Sequence, residues 1–304
     1  MDPVAGSLEQ HWKRYRKALK RCQRKFSPKA IHAFRVETRR LLSRLELLGD
    51  FLSEQPLDKV RRLLKRNLDL LDDLRDTQVL LVTLGRMRRR SSVARLFRSS
   101  LLKREEHCSR RSHKEIQRVR TRRLGKLVAE CQEDLEERLS GLTPRKTRAT
   151  LLRSVNRSFC RVGRLRARAS PDDTTTIHRT RVAFKKFRYV VEALEDCLPG
   201  VTRERLEAMR RYQTMMGNIQ DSAVLLATLD RFLLEHEVSL ESARRFRSQL
   251  VRRRRRLIRT YLAAADQLYS FWPLPDGGTA VLPVASTPLP AELPQPSTPA
   301  ANSL

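Results

Sequence analysis

The segments IHAFRVETRRLLS (31–43) and IHRTRVAFKKFRY (177–189) share an Ile-His start, an Arg-Val pair and a following pair of cations in one register. A second pair of segments follows in the same order. DLRDTQVLLVTL (73–84) is answered by NIQDSAVLLATL (218–229), which aligns Asp76 with Asp221, Val79 with Val224 and Leu81 with Leu226. The step from histidine to aspartate is 44 residues in the first copy and 43 in the second. Two collinear motifs at near-equal spacing identify a duplicated unit, and this constrains the architecture before composition is considered.

The unit is helical. Phe34, Thr38, Leu41, Leu45 and Leu48 recur at helical spacing, and strand-like alternation is essentially absent. Helix starts are predicted at Ser27-Pro28 and Thr143-Pro144, where an N-cap precedes a proline in the first turn, and at Ser7-x-x-Gln10 as a capping box. Pro199-Gly200 is predicted to end a helix. The pattern predicts helices over 7–26, 28–54, 57–89, 92–140, 145–169, 174–198, 202–236 and 240–270, four on each side of Thr143, with a possible break in the fourth near 98–100. Repeat 1 then covers about 7–140 and repeat 2 about 144–271 of a helical domain at 7–271. Residues 272–304 hold eight of the fourteen prolines, no lysine or arginine, and only Asp276 and Glu292 among acids. Such a stretch cannot build a core and is predicted to be disordered.

Charge narrows the choice of partner. The chain carries 64 lysines and arginines against 34 acids, a net of +30. With the tail set aside, 64 cations face 32 acids, so the helical part alone stands at +32. Such an excess strains a compact fold by self-repulsion and favours a polyanion, whether polyphosphate, nucleic acid or an anionic surface. Five scattered cysteines without a C-x-x-C argue against a disulfide framework and predict a reducing, cytoplasmic setting. No run approaches eighteen apolar residues, so no membrane span is expected, and the N-terminus has no apolar signal core.

The doubled motifs His32-x-x-Arg35-Val36-x-x-Arg39-Arg40 and His178-x-x-Arg181-Val182-x-x-Lys185-Lys186-Phe187-Arg188-Tyr189, with the two Asp-x-x-Val-Leu-Leu helices, resemble the CHAD family (conserved histidine α-helical domain) over about residues 8–270. The resemblance implies an all-α fold of two four-helix bundles related by a pseudo-twofold, with a basic groove between them that binds inorganic polyphosphate. Members are often fused to a triphosphate-tunnel domain marked by E-x-E-x-K. The nearest string here, Glu235-His236-Glu237-Val238-Ser239, lacks the lysine, so no attached phosphohydrolase is expected. In the first copy Leu42 and Ser43 stand where the second has Arg188 and Tyr189, so the first histidine helix carries fewer cations.

Spacing gives a reading independent of the resemblance. At about 100° per residue, His178, Arg181, Lys185 and Arg188 fall within roughly 80° of one helix face, and His32, Arg35 and Arg39 share the matching arc. Phe34, Leu41, Leu45 and Leu48 form a separate stripe that can face a core. Further cationic lines run through Arg14, Lys17, Arg21 and Arg24, and through Arg153, Arg157, Arg161, Arg164 and Arg168, while Lys65 and Arg66 match Arg210 and Arg211. The candidate phosphate contacts are therefore His32, Arg35, Arg39, Arg40, Lys65, Arg66, His178, Arg181, Lys185, Lys186, Arg188, Arg210, Arg14, Lys17, Arg21, Arg153, Arg157 and Arg161. Glu46 and Glu192 fall near the cationic stripe and are predicted to orient arginines. Asp76 and Asp221 lie in apolar helices and are predicted to be internal ion-pair or hydrogen-bond partners.

The histidines are read as hydrogen-bonding to phosphate in preference to a purely structural role, and no site for phosphoryl transfer to them is visible. Glu105, Glu106, His107, Cys108 and His113 match no zinc spacing, so neither metal nor cofactor is expected. Without a P-loop or a carboxylate cluster for Mg²⁺, the chain is expected not to be an enzyme. With aromatics at 6% and no base-stacking signature, polyphosphate is the preferred partner, with association to intracellular polyphosphate granules, and nucleic acid is the alternative. Charge reversal at Arg181 and Lys185 together is expected to weaken polyphosphate binding far more than reversal at Arg253 and Arg255, as read by titration. Equal losses would mean that bulk charge, not a defined groove, binds the anion.

Overall fold

The computed structural model describes residues 3–87, 91–194 and 200–273. Among these the regular structure is entirely helical: α1 (Pro3–Arg24), α2 (Pro28–Leu47), α3 (Glu54–Asp69), α4 (Asp72–Gly85), α5 (Ser92–Arg118), α6 (Arg122–Ser140), α7 (Pro144–Ala167), α8 (Thr174–Glu192), α9 (Arg203–Glu235) and α10 (Leu240–Ala263), with 3₁₀ turns at Gly49–Phe51 and Ala265–Ser270. The predicted stop at Pro199 and nearly all of the predicted tail lie outside the described residues.

Two predicted starts are built as the sequence implied. Ser27 accepts a hydrogen bond from the Ala30 amide and Thr143 from the Lys146 amide, each with proline in the first turn. The box at Ser7 is not a start. Helix α1 begins at Pro3, and the Ser7 carbonyl meets His11 Nδ1 at 2.8 Å inside it. Thr202 and Asp173 cap α9 and α8 through their side-chain oxygens.

Two long predicted helices are broken instead, and in both cases a side chain from elsewhere takes the freed carbonyls. The 57–89 helix divides at Leu70–Leu71, where Arg35 Nη1 donates to the Leu68 carbonyl at 3.0 Å and Ser112 Oγ to the Leu70 carbonyl at 2.8 Å. The 92–140 helix divides at Val119–Thr121 and not at 98–100. There Gln23 Nε2 from α1 donates to the carbonyls of Ile116 and Val119, both at 3.0 Å. Helical periodicity runs unbroken through both joints, so apolar spacing gave no sign of them. The helix ends are stable because these tertiary donors satisfy groups that water cannot reach.

The two halves pair their helices alike. α1 packs on α2 as α7 packs on α8, and α4 packs on α5 as α9 packs on α10; between halves, α2 meets α8 and α4 meets α9. Buried apolar side chains form two clusters, and both draw on both halves. The larger includes Tyr15, Phe34, Leu41 and Leu45 from the first half and Phe184, Phe187 and Tyr212 from the second. The smaller joins Leu80, Leu84, Phe97 and Leu101 to Leu225, Leu229, Phe232, Phe246 and Leu250. The halves therefore share their cores.

The packed part of the chain reaches further than the predicted boundary at 271. Trp272 is fully buried, with its indole Nε1 donating to Asn156 Oδ1 at 2.5 Å. Beside it, the Phe184 ring lies 4.8 Å from Tyr212, 5.8 Å from Phe271 and 6.0 Å from Phe187. Phe184→Ala removes the centre of this ring cluster and is expected to cost about 3–5 kcal/mol of folding stability, measured by denaturant unfolding.

Candidate anion-binding site

The cross-packing of α2 on α8, and of α4 on α9, sets one face of each histidine helix toward the other half. Arg35 and Arg39 come from α2, Arg181 and Lys185 from α8, and Arg75 from α4, and these five form one electrostatically coupled group. Burial, followed by Arg39, Arg181 and Arg35, pulls the Lys185 ammonium down from 10.5 to about 8. Burial and Arg35 likewise lower Arg39, with Tyr189 and Asp72 in partial opposition. Arg75 is lowered by burial and by Arg35, against Asp221 and Asp76.

Few acids answer this charge. Arg35 is buried and held rigidly: Nη2 meets Asp72 Oδ1 at 2.8 Å, while Nη1 caps α3. Arg39, Arg75, Arg181 and Lys185 make no ion pair within 4 Å with any described residue. Asp76 and Asp221 stand nearby but are not ion-pair partners, contrary to the sequence reading. Burial raises both carboxyls, and neighbouring acids of the first half add to it: Asp72 and Asp73 act on Asp76, and Asp76 acts on Asp221. Arg35 and Arg75 (on Asp76) and Arg181 and Arg75 (on Asp221) pull the other way without direct contact.

The histidines are exposed beside this group and are not equivalent. His178 Nδ1 sits 2.9 Å from Gln220 Oε1, which sets Nδ1 as donor and leaves Nε2 outward. His32 faces Arg75, the residue aligned with Gln220. Burial, then Arg75, Arg39 and Arg35, lower its imidazole.

Other predicted contacts are drawn into structural work. Glu192, nearly buried, binds Arg188 Nη1 at 2.8 Å, Arg210 Nη2 at 2.9 Å and Arg40 Nη2 at 3.3 Å. Arg188 is itself buried, also donates to Gln213 Oε1 at 2.9 Å, and stacks 4.1 Å from the Tyr189 ring. Burial opposes ionisation of Glu192, but the three arginines together hold its carboxyl below the usual range. Lys186 meets Glu46 at 3.3 Å. The two glutamates orient cations, as the sequence implied.

The remaining candidates are scattered. Arg14 lines a cavity of about 280 Å³ with His11, Arg40, Arg44 and Glu192. Lys17 lies in an outer groove with Lys13, Arg16, Lys20 and Arg120, and Arg66 in another with Arg118, Arg120 and Arg123. Lys65, Arg21 and Arg161 are exposed. Arg153 bonds Thr150, and Arg157 pairs with Asp50. These helices bury their apolar faces elsewhere, so their cations project outward. Arg75 was missed because its repeat partner is Gln220, and matching the repeats discards it. Among the described residues no cluster of three or more metal-ligating side chains occurs, and no helix is long and apolar enough to cross a membrane. In the Arg252–Arg256 run, Arg254 reaches Thr174 Oγ1 at 2.7 Å. Arg253 is half-buried, whereas Arg252 and Arg255 are exposed and make the cleaner charge-reversal control.

An all-helical domain in which two histidine-arginine helices from opposite halves pack together and bring their cations into one coupled group is a recognisable class. The chain belongs to the CHAD domain family, whose model matches residues 6–230. Two solved structures share the fold. The CHAD domain from the plant Ricinus communis aligns with a TM-score of 0.63 at 20% identity, covering 86% of this chain and 90% of that one. PptA from Streptomyces chartreusis aligns with a TM-score of 0.62 at 18% identity, covering 88% and 98% respectively. Comparison with curated proteins gave no match.

Lys185 makes the site sensitive to pH. In the free protein its charge is lost as pH rises through about 8, and a bound anion would raise that value. Polyanion affinity is therefore expected to be greatest below about 8 and to fall as pH rises above it, while Lys185→Arg removes most of that dependence. Calorimetric titration across this range checks it.

Proposed function

We propose that this chain binds inorganic polyphosphate, without a catalytic step, in the cleft between α2 and α8, and that it associates with intracellular polyphosphate granules through that binding. The observation that carries the reading is the group Arg39, Arg75, Arg181 and Lys185: four half-buried cations from three helices, drawn from both halves and without an ion-paired acid. A linear chain of phosphates supplies the missing charge and accepts forked hydrogen bonds from each guanidinium along its length. His32 and His178 stand at the edge of the same cleft, where an outward imidazole nitrogen can meet a phosphate oxygen. Membership of the CHAD family supports the same partner.

Nucleic acid offers the same phosphates but also a run of bases, and strand-binding proteins stack successive bases on exposed aromatic side chains. Among the described residues Tyr269 is the one aromatic side chain that is largely exposed, and it lies on the last 3₁₀ turn, outside the cleft. This favours polyphosphate.

The test is a titration with long-chain polyphosphate at several salt concentrations, with RNA as competitor at matched phosphate. If the four unpaired cations are engaged, the log–log salt slope is expected to be about −2.8 or steeper, and near −7 if ten phosphates are held. Polyphosphate is expected to displace RNA. A flat salt response, or RNA displacing polyphosphate, overturns the reading.

A further inference from the structure

Beside the cationic group lies a cavity of about 580 Å³, part of whose wall is aliphatic and offers nothing to polyphosphate. Its lining is mixed. Ile31, Leu81, Val82 and Leu102 form an aliphatic shelf, and Val82 and Leu102 remain 52% and 39% exposed. His32, Arg75 and Arg98 bring positive charge, and Arg75 belongs to the cleft as well. Gln78 Nε2 donates to Glu105 Oε1 at 3.2 Å, which leaves the amide oxygen and the second carboxylate oxygen as a pair of acceptors at the rim.

The cavity is a property of the first half. In the register that pairs Asp76 with Asp221, Arg75 is replaced by Gln220, Gln78 by Ala223 and Val82 by Ala227. Gly85 is replaced by Asp230, which is tied up by Arg247 at 2.8 Å. The second half therefore lacks the shelf residue at Val82, the cation and the amide together. An apolar shelf of this size, joined to a phosphate-binding cleft by one arginine, fits a ligand with a flat heteroaromatic end and a phosphate end.

We infer that this cavity binds a nucleoside polyphosphate: the base lies on Ile31, Leu81, Val82 and Leu102 with its amino edge toward Gln78 and Glu105, and the phosphates extend past His32 and Arg75 into the cleft. This rests on the cleft being a phosphate receptor. The exocyclic amino group of adenine carries two N–H bonds that can serve the acceptor pair, and the faces of the base are apolar enough to cover the shelf. The volume lies within the ordinary range for sites that enclose small ligands.

ATP and inorganic tripolyphosphate carry the same three phosphates, and tripolyphosphate has the higher charge. Electrostatics alone therefore favours tripolyphosphate, and any preference for ATP has to come from the nucleoside. With the full chain, in chelator and at one salt concentration, calorimetry is expected to show ATP binding about tenfold tighter than tripolyphosphate, from burial of the base on the shelf. The double variant Val82→Ser, Leu102→Gln changes two exposed positions without altering charge. It is expected to abolish the preference and leave tripolyphosphate affinity unchanged. Arg75→Gln is expected to weaken both ligands.

ATP binding no tighter than tripolyphosphate, or equal weakening of both by the shelf variant, overturns the inference. If long-chain polyphosphate binds and ATP does not, the nucleotide site falls while the polyphosphate reading stands. If ATP binds with the expected preference and long-chain polyphosphate does not, the polyphosphate reading falls and the nucleotide site stands.

Discussion

Repulsion among the cations of α2, α4 and α8 is the constraint around which this molecule is built. Like charges at a partly buried site repel, and Arg39, Arg181 and Arg35 all act on Lys185 while Arg35 acts on both Arg39 and Arg75. The helices are held against this by the apolar faces behind them. Phe34, Leu41, Leu45, Phe184 and Phe187 are all fully buried. Each contributes about 1.5–3 kcal/mol relative to an exposed position, and this burial opposes the repulsion.

The few acids near the histidine helices divide the cations into two groups. Glu192 gathers Arg40, Arg188 and Arg210 into a nearly buried knot, Asp72 fixes Arg35, and Glu46 holds Lys186. Removing Asp72 or Glu192 would leave the buried charge of Arg35 or Arg188 behind. Arg39, Arg75, Arg181 and Lys185 make no ion pair with any described residue. The departure noted between the two histidine helices takes its meaning from this division. Arg188 has no counterpart in the first half, but it serves the Glu192 knot, so its absence there does not thin the cleft. The cation that makes the halves unequal is Arg75, and it favours the first half.

Much of the architecture was legible. Helical spacing, the caps at Ser27 and Thr143, and the doubled motifs gave an all-α fold with two corresponding helix sets. The orienting roles of Glu46 and Glu192 followed from helix phase. The breaks at Leu70–Leu71 and Val119–Thr121 were not legible, because Arg35, Ser112 and Gln23 stabilise them from distant positions. Arg75 was hidden for a related reason: a repeat-based reading keeps what the copies share, and this residue acts through what they do not. Lines of cations on α1 and α7 read as strongly as those on α2 and α8, since helix phase says nothing about which outward faces meet.

The sequence by itself determined the all-helical class of structure and the excess of positive charge, because periodicity, capping and composition act locally or add up regardless of contact. Which cations face one another was decided only by the tertiary structure. That choice depends on α2 crossing α8 and α4 crossing α9, through apolar packing between residues more than a hundred positions apart. The same packing brings Arg40 of α2 to Glu192 of α8 and leaves Lys185 among arginines from both halves.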